Sequence, residues 1–226
     1  MARLRERIAR FRSASKRFGF RRTLAMTGLA LAYKYLDLTS IVVLVLTEDG
    51  LRPEFREELE GYEFRWATDR DIATCIDRPG YEMTEDFAQQ ALSAGDRCYV
   101  VVSGEVPACY VWFSSRITEA FPGVDFEFAT DWAYAYSGYT LDDHRGRRLL
   151  GRVLTRGAAD LIAGGKSQVI TIIEARNLAS LAGTAVTGFE RIGHAWILNS
   201  RRRFWSWHRR DPAHANWGFR EGAGRG

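Results

Sequence analysis

The strongest chemical signal in the chain runs from Tyr139 to Leu161, with the sequence YTLDDHRGRRLLGRVLTRGAADL. A strand-like segment ends there in two acids and a histidine, and a helical pattern then opens on Arg-Gly-Arg-Arg at positions 145–148. A helix N-terminus presents unpaired N–H groups and a partial positive charge, and small residues let the backbone approach an anion. The stretch therefore predicts a phosphate-binding loop. The alternative is a helix that begins with solvated arginines.

The composition indicates a folded, globular protein. The chain has 226 residues, of which 46% are hydrophobic and 13% aromatic, enough for one domain of ordinary size with extensions. The formal net charge of +4 comes from arginines concentrated near both ends, in RLRERIARFRSASKRFGFRR and RRRFWSWHRR. These terminal segments favour anionic partners more than the middle of the chain does.

Cysteine and histidine usage predicts a cytoplasmic protein without a metal. The three cysteines form no close pair and no secretory signal is obvious, which is typical of reduced thiols. The four histidines are scattered, none at zinc-ligand spacing from a cysteine. The apolar run TLAMTGLALAYKYLDLTSIVVLVL is interrupted by Lys34 and Asp37, so we do not expect it to span a membrane.

A basic helical extension is predicted over residues 1–60. Leu4, Ile8, Phe11 and Phe18 follow helical spacing, with arginines on the other faces. Such a helix suits a membrane surface or a partner, although packing on the domain is the favoured interpretation. A second helical stretch from about Thr23 to Tyr35 leads into SIVVLVL, a short apolar run typical of a buried strand, and the extension is expected to end near residue 61.

Beyond Gly61, strands and helices are expected to alternate. Thr68 is a good N-cap for a helix, with Asp69 and Asp71 in its first turn. A hairpin turns at residues 103–105, and FEFATDWAYAYSGYTL resembles one long strand. The remaining elements are a helix from Gly146 to about Ala163, a strand in SQVITIIEA, a short helix opened by Asn177 and a last strand or hairpin in FERIGHAWIL.

This order of elements, and several of its motifs, resemble the GCN5-related N-acetyltransferase (GNAT) family over about Gly61 to Ser200. The matching segments are RWATDRDI, CYVVVSGEVPACYVWF, TLDDHRGRRLL and NLASLAGTAVTGF. The resemblance implies an α/β (α+β) fold with a splayed mixed β-sheet flanked by helices. On this basis residues 1–60 form the basic helical extension, 61–200 the acyltransferase domain and 201–226 a basic aromatic tail.

The resemblance also implies an activity. A GNAT-like enzyme transfers the acyl group of acetyl-coenzyme A (acetyl-CoA) or another acyl-CoA directly to a primary amine, here a small amine or amino-sugar-like acceptor, without a covalent enzyme intermediate. Backbone groups of the strand before the loop would pair with the pantetheine arm of the donor. The residues that the resemblance assigns to donor binding are Gly138, Tyr139, Thr140, Arg145, Gly146, Arg147, Arg148, Leu149, Leu150, Asn177 and Ser180.

The loop departs from the family pattern at two positions. Arg148 and Leu150 stand where the family usually has glycine and glycine or alanine. Either the amides still hold the donor phosphates, with Arg147 or Arg148 adding hydrogen bonds, or the side chains crowd the pocket and the acyl group arrives on an acyl carrier protein. A third alternative is a non-catalytic member that binds an anionic surface.

The catalytic residues are less clearly marked than the loop. Thr184 occupies the position of the family's usual tyrosine proton donor, and it would orient the leaving sulfur rather than protonate it. The alternative is a small residue packed against the sheet. Glu174 is the candidate base, acting through water, with a solvated acid at a strand end as the alternative. Tyr134 and Tyr136 either line an acceptor pocket or belong to the core.

The C-terminal segment RRRFWSWHRRDPAHANWGFR alternates arginine with aromatic residues. This pattern suits single-stranded nucleic acid or an anionic lipid surface. It contains no recognised nucleic-acid motif, so we favour a tail that packs its tryptophans on the domain and expect neither nucleic acid nor membrane as the main partner.

Overall fold

The computed structural model describes residues 19–21, 23–24, 28, 38–76, 79–200 and 203–222. The helix predicted from Leu4 to Phe18, and most of the one predicted from Thr23 to Tyr35, lie outside these residues. The strands are β1 Leu38–Leu46, β2 Glu63–Trp66, β3 Arg97–Ser103, β4 Val106–Ser114, β5 Thr118–Phe121, β6 Val124–Phe128, β7 Trp132–Thr140, β8 Gln168–Glu174, β9 Glu190–Ser200, β10 Arg203–Arg210 and β11 Trp217–Glu221. From residue 38 onward, the α-helices are α1 Asp69–Cys75, α2 Glu85–Ser93, α3 Leu149–Ala163 and α4 Leu178–Ala185.

A large mixed sheet organises the molecule. Its strands lie in the order β10-β9-β1-β8-β7-β4-β3-β2. The pair β7 and β8 is parallel, and the other neighbours in this sheet are antiparallel. Strands β11, β6 and β5 form a separate three-stranded sheet. The predicted α/β fold with a mixed sheet and flanking helices is confirmed.

The large sheet extends beyond both domain boundaries that the sequence predicts. Strand β1 belongs to the predicted extension, yet it lies between β8 and β9 and is buried from Ile41 to Leu46. Strands β10 and β11 belong to the predicted tail, yet they pair with β9 and β6. β1 and β10 are therefore part of the large sheet and β11 of the small one, and each pairs with strands from residues 61–200.

The tail divides its tryptophans between core and surface. Trp217 is 3% exposed and packs between the two sheets, whereas Trp205 and Trp207 on the edge strand β10 are more than half exposed. Their alternation follows the two-residue period of a strand, which places both on the same face. The tryptophan of β11 therefore packs on the domain, as the favoured prediction for the tail expects. The two tryptophans of β10 do not.

The two faces of the large sheet are covered differently. One face packs against α3 through Leu149, Val153, Leu154 and Ala158. On the other face, α1 and α2 cover strands β3 and β4, and the small sheet covers β1, β8 and β9. Tyr136 on β7 contacts both of these clusters, so it marks the seam between the helices and the small sheet.

The segment FEFATDWAYAYSGYTL is two strands and not one. A turn at residues 129–131 separates β6 from β7, with the Trp132 N–H donating to the Ala129 carbonyl at 3.0 Å. The turn contains neither glycine nor proline, so the high strand propensity of the surrounding aromatics obscured it.

Helix α3 begins at Leu149, three residues later than predicted. Gly146 has a φ of +82° and Arg148 a φ of +58°, and a right-handed helix cannot pass through such residues. By contrast, the predicted start of α1 is confirmed. The Thr68 hydroxyl accepts a hydrogen bond from the Asp71 N–H, while the Asp71 carboxylate accepts one from the Thr68 N–H at 2.7 Å.

None of the helices within the described ranges is long and apolar enough to cross a membrane.

Two helical glycines test the close packing of α3 on the sheet, because alanine should destabilise the protein at one of them and stabilise it at the other. A methyl group on Gly157 would lie 2.7 Å from the buried Phe113 ring, whereas one on Gly183 in α4 meets nothing within 4 Å. We expect Gly157→Ala to lower the free energy of unfolding by about 1–3 kcal/mol through overpacking. Gly183→Ala should raise it by about 0.5–1 kcal/mol through helix propensity.

Urea unfolding of both variants without any donor measures the two effects. Equal stabilisation by both substitutions would contradict the close contact between α3 and β4.

Candidate active site

The site forms where two central strands separate. The parallel pairing of β7 with β8 runs from Trp132↔Gln168 to Ala135↔Thr171 and then stops. Beyond that point β7 continues with β4 alone, and β8 continues with β1, as in the pair Ile41↔Glu174. The two strand ends therefore diverge and leave one edge of β7 without a strand partner.

A bulge bends β7 at the point of separation. Tyr136 pairs with Trp112 and Tyr139 with Tyr110, so three steps on β7 oppose two on β4. Ser137 takes up the extra length with a φ of +46°, which is uncommon for a residue other than glycine. The bulge turns the backbone of residues 137–140 towards the gap. This is the strand edge that the sequence assigns to the pantetheine arm at Gly138, Tyr139 and Thr140.

The gap contains a cavity of about 540 Å³, here called the splay cavity. Its wall includes residues of β7, β8, α3 and α4, among them Tyr136, Gly138, Leu154, Glu174, Asn177 and Thr184. A second cavity of about 860 Å³, the loop cavity, lies between the β7–α3 loop and α4. Gly138, Leu150, Leu154, Ser180 and Thr184 belong to both walls, so the two cavities adjoin.

The loop cavity contains the predicted phosphate loop. Its wall includes Tyr139, Thr140, Arg145, Gly146, Arg148, Leu149, Leu150 and Ser180. Helix α3 has no side-chain cap, and its first helical hydrogen bond runs from the Arg152 N–H to the Arg148 carbonyl at 3.1 Å. The N–H groups of residues 149–151 therefore have no acceptor within the helix. Leu149 itself is buried, so only its backbone is available to a ligand.

The arginines of the loop have different surroundings. Arg145 donates to the Thr140 carbonyl at 3.2 Å and pairs with Asp142 at 2.9 Å. Arg148 is exposed, and its side chain makes no hydrogen bond or ion pair with a described residue. Arg147 is not part of the wall of either cavity. Its guanidinium donates to the Tyr62 hydroxyl, which also lies 2.9 Å from His144 Nδ1. Of the two arginines that the sequence offers as phosphate contacts, Arg148 lines the loop cavity and Arg147 does not.

Helix α4 supplies the wall opposite the loop. The Asn177 side chain caps it by accepting from the Ser180 N–H at 3.1 Å, which fixes the helix start at the splay cavity. Asn177 thus has a structural partner, while Ser180 and Thr184 line both cavities. Thr184 is 4% exposed and lies at the junction of the two cavities.

A third cavity of about 360 Å³, the distal cavity, lies on the opposite face of the sheet, between α2 and the small sheet. Its wall includes Phe87, Glu119, Phe121, Tyr134, Tyr136 and Glu174. Tyr136, Ser137, Ile172 and Glu174 are shared with the splay cavity. The separation of β7 from β8 therefore connects the two faces of the sheet, with the loop, splay and distal cavities in sequence.

Glu174 lies at the passage between the splay and distal cavities. It ends β8, and its carboxylate accepts from Arg176 Nε. The Glu174 side chain is 28% exposed, so water reaches it. The structure therefore brings the proposed base together with Thr184 and Tyr136 in the wall of one cavity.

The two tyrosines of β7 differ in position. The Tyr136 hydroxyl donates to the buried carboxylate of Asp96 at 2.6 Å, and burial together with this hydrogen bond raises the Tyr136 pKa well above its usual value. Tyr134 is 3% exposed, stacks on Tyr136 and lines only the distal cavity, and burial raises its pKa too. Both side chains therefore remain protonated near neutral pH and are poor acids, so they serve as walls.

Several site residues were not identified from the sequence. Glu119 lies on β5, Phe87 on α2, and Tyr62 and Asp96 just before β2 and β3, so they come together only through tertiary packing. The sequence offers one weak signal. Asp96 follows the helix-ending Gly95 and directly precedes an apolar strand, and a carboxylate so close to a buried strand requires a partner.

Comparison with known proteins identifies the fold. No family model matches the chain, and no curated protein matches it significantly. Among solved structures, a GCN5-related N-acetyltransferase from Sphaerobacter thermophilus matches with 12% identity and a TM-score of 0.50 over 81% of this chain and 56% of that one. A GCN5-related N-acetyltransferase-like protein from Streptococcus suis matches with 11% identity and a TM-score of 0.50 over 79% and 66%.

A Drosophila protein matches with 12% identity and a TM-score of 0.50 over 84% of this chain and 52% of that one. The chain thus spans between about half and two thirds of the length of these structures. The likeness covers about four fifths of the present chain. The protein has the fold of the GCN5-related N-acetyltransferases.

Proposed function

We propose that this protein is an N-acyltransferase that moves the acyl group of acetyl-CoA or another acyl-CoA to a primary amine by direct attack. The observation that carries the proposal is the row of three adjoining cavities through the separated strands. Uncapped amides and two exposed arginines lie at one end, and a carboxylate lies where the splay and distal cavities meet.

The donor fits the loop and splay cavities. Its pyrophosphate lies at the N–H groups of residues 149–151, where the helix dipole and Arg148 favour negative charge. Its pantetheine arm pairs with the free edge of β7 from Gly138 to Thr140, as an added strand would. The thioester then lies near the junction at Thr184. Coenzyme A is a co-substrate here, and the reaction requires no metal.

The acceptor enters from the distal cavity. Water passes one proton of the ammonium group to Glu174, and the neutral nitrogen attacks the thioester carbon. The carbonyl oxygen becomes an oxyanion that a backbone N–H of the β7 bulge stabilises. The oxyanion then re-forms the carbonyl and the C–S bond breaks. The nitrogen gives its second proton to solvent, and the leaving thiolate takes a proton from solvent. The products are an amide and the free thiol.

A second candidate donor is an acylated carrier protein. Two residues favour it. Arg148 places an exposed cation at the loop cavity. Leu150 crowds the free edge of β7, because a methyl group on Gly138 would lie 2.8 Å from its side chain. An acidic carrier surface would meet the arginines, and its shorter prosthetic arm carries no adenosine. Titration with acetyl-CoA and with acylated carrier protein distinguishes the two donors.

Arg148→Gly tests how arginine at this position, where the family usually has glycine, affects donor binding. We expect the variant to keep coenzyme A binding, since the backbone amides hold the phosphates and glycine adopts a φ of +58° without strain. Loss of all binding in calorimetry would instead identify Arg148 as a principal phosphate ligand.

Gly146→Val tests the loop. A β-branched residue does not tolerate a φ of +82°, so the loop and its amides shift, and we expect coenzyme A affinity to fall at least about 10-fold in calorimetry. Gly95→Val is the matched control. Gly95 has a φ of +81°, a methyl group added there would meet nothing within 4 Å, and the residue lines none of the three cavities. Unchanged affinity in a folded Gly146→Val protein would remove this loop from the donor site.

Thr184→Val tests the hydroxyl at the junction of the cavities. The two side chains have a similar shape, so only the hydroxyl is lost. If that hydroxyl orients the sulfur, turnover should fall by about 10-fold to 100-fold, as for one positioned hydrogen bond in a transition state. Thiol release against an amine panel measures the effect.

Thr155→Val is the control, because Thr155 is fully buried in α3, its hydroxyl has no partner among the described residues, and it lines none of the three cavities. Wild-type turnover in Thr184→Val would eliminate any catalytic role for this hydroxyl.

A further inference from the structure

The distal cavity has a one-sided charge. Among the described residues, the charged ones in its wall are Glu119 and Glu174, and the rest of that wall is aromatic, aliphatic or hydroxylic. No lysine or arginine of the described ranges lines it. An acceptor that carries a carboxylate or phosphate would be repelled by the Glu119 carboxylate, which has no ion pair with a described residue, whereas a cationic acceptor is attracted.

The two carboxylates differ in their distance from the chemistry. Glu174 lines both the splay and the distal cavity, so it lies beside the reacting nitrogen. Glu119 lines the distal cavity alone and belongs to β5 of the small sheet, on the far side of the gap. One cationic group at Glu174 therefore leaves Glu119 facing a different part of the same acceptor.

The Glu119 carboxylate is fixed in place and lacks a cation of its own within the described part of the chain. One oxygen, Oε1, accepts from the Gly123 N–H at 2.7 Å, which ties the side chain to the β5–β6 turn. Glu119 makes no ion pair with any described residue, in contrast to Glu174, which pairs with Arg176. Its second oxygen remains available, and a held carboxylate loses little side-chain entropy on binding a cation.

The wall between the two acids suits an alkyl ammonium chain. The Tyr136 hydroxyl donates its hydrogen bond to Asp96, so Tyr136 contributes its ring to the cavity wall and not a free hydroxyl. Phe87 meets Tyr136 at 6.2 Å between ring centroids, and Phe121 belongs to the same wall. Aromatic faces attract ammonium groups and pack against methylenes.

We propose that the distal cavity selects a diamine acceptor, with Glu119 binding the cationic group that does not react. The inference rests on the proposed acyl transfer to an amine and adds a substrate class and a specificity-determining residue to it. Near neutral pH both nitrogens of an alkyl diamine are protonated in solution, so the distal nitrogen arrives as the cation that Glu119 binds while the proximal one is deprotonated beside Glu174.

Three amines of nearly equal length test the proposal with acetyl-CoA as donor: diaminobutane, aminobutanol and butylamine. We expect kcat/KM for diaminobutane to exceed that for aminobutanol by about 3-fold, in line with one ion pair at the exposed Glu119 carboxylate. The measured quantity is the ratio of the two values, so changes in overall activity cancel.

Glu119→Gln should reduce this ratio to about one. Glutamine keeps an oxygen for the Gly123 N–H and removes only the charge. The matched control is Glu127→Gln on the neighbouring strand β6, outside the cavity, where the carboxylate pairs with Arg220 at 2.9 Å. That variant should preserve the wild-type ratio.

Two results would overturn the inference while leaving the acyl transfer intact: equal kcat/KM for diaminobutane and aminobutanol, or a ratio that Glu119→Gln does not change. Absence of thiol release with every amine would instead contradict the proposed function. In that case, calorimetric titration of the coenzyme A-bound protein still decides the inference, since it requires tighter binding of diaminobutane than of aminobutanol and loss of the difference in Glu119→Gln.

Discussion

The end of hydrogen bonding between β7 and β8 at Ala135 and Thr171 is the constraint on which the site depends. Each strand keeps a partner on its other side, β4 for β7 and β1 for β8, so the separation leaves few backbone groups unpaired. The gap is therefore a stable property of the sheet rather than something a ligand must open. A bulge at Ser137, helix α3 behind the gap and helix α4 beside it all take their positions from this separation.

Charge is distributed in opposite senses along the row of cavities. The loop end carries helix amides and arginines, and the distal end carries carboxylates. An anionic donor and a cationic acceptor would each be attracted to one end and disfavoured at the other, which orients the reaction before any specific contact forms. In the proposed reaction, the reacting atoms lie near the middle, between α4 and the strand ends.

Local signals in the sequence predicted local structure well. The N-cap at Thr68, the Asn177 cap and the basic glycine turn before α3 each depend on a few adjacent residues. Each lies where it was expected, although α3 itself starts later. Helix α3 starts late because Arg148 has a positive φ, a backbone conformation that an arginine in the sequence does not signal.

Features that depend on distant pairing were missed for a physical reason. The turn between β6 and β7 lacks glycine and proline, and β10 and β11 consist largely of arginine and aromatic residues that equally suit a solvated tail. Glu119 and Asp96 acquire a role only when the small sheet and α2 pack against β7. Such residues carry no local pattern, because their neighbours in space are far away in sequence.

The central place of β1 has a consequence for how the chain is made. Residues 41–46 are all 6% exposed or less, and they pair with Glu174 and its neighbours on one side and with His194 and its neighbours on the other. A ribosome releases β1 long before either partner exists, so one of the earliest strands synthesised is among the last to be enclosed. During that interval an apolar strand has two open edges, a template for intermolecular pairing. Burial of β1 therefore requires contacts between residues far apart in sequence, and this topology favours slow folding. Until those contacts form, the nascent chain depends on β1 being kept from pairing with other chains.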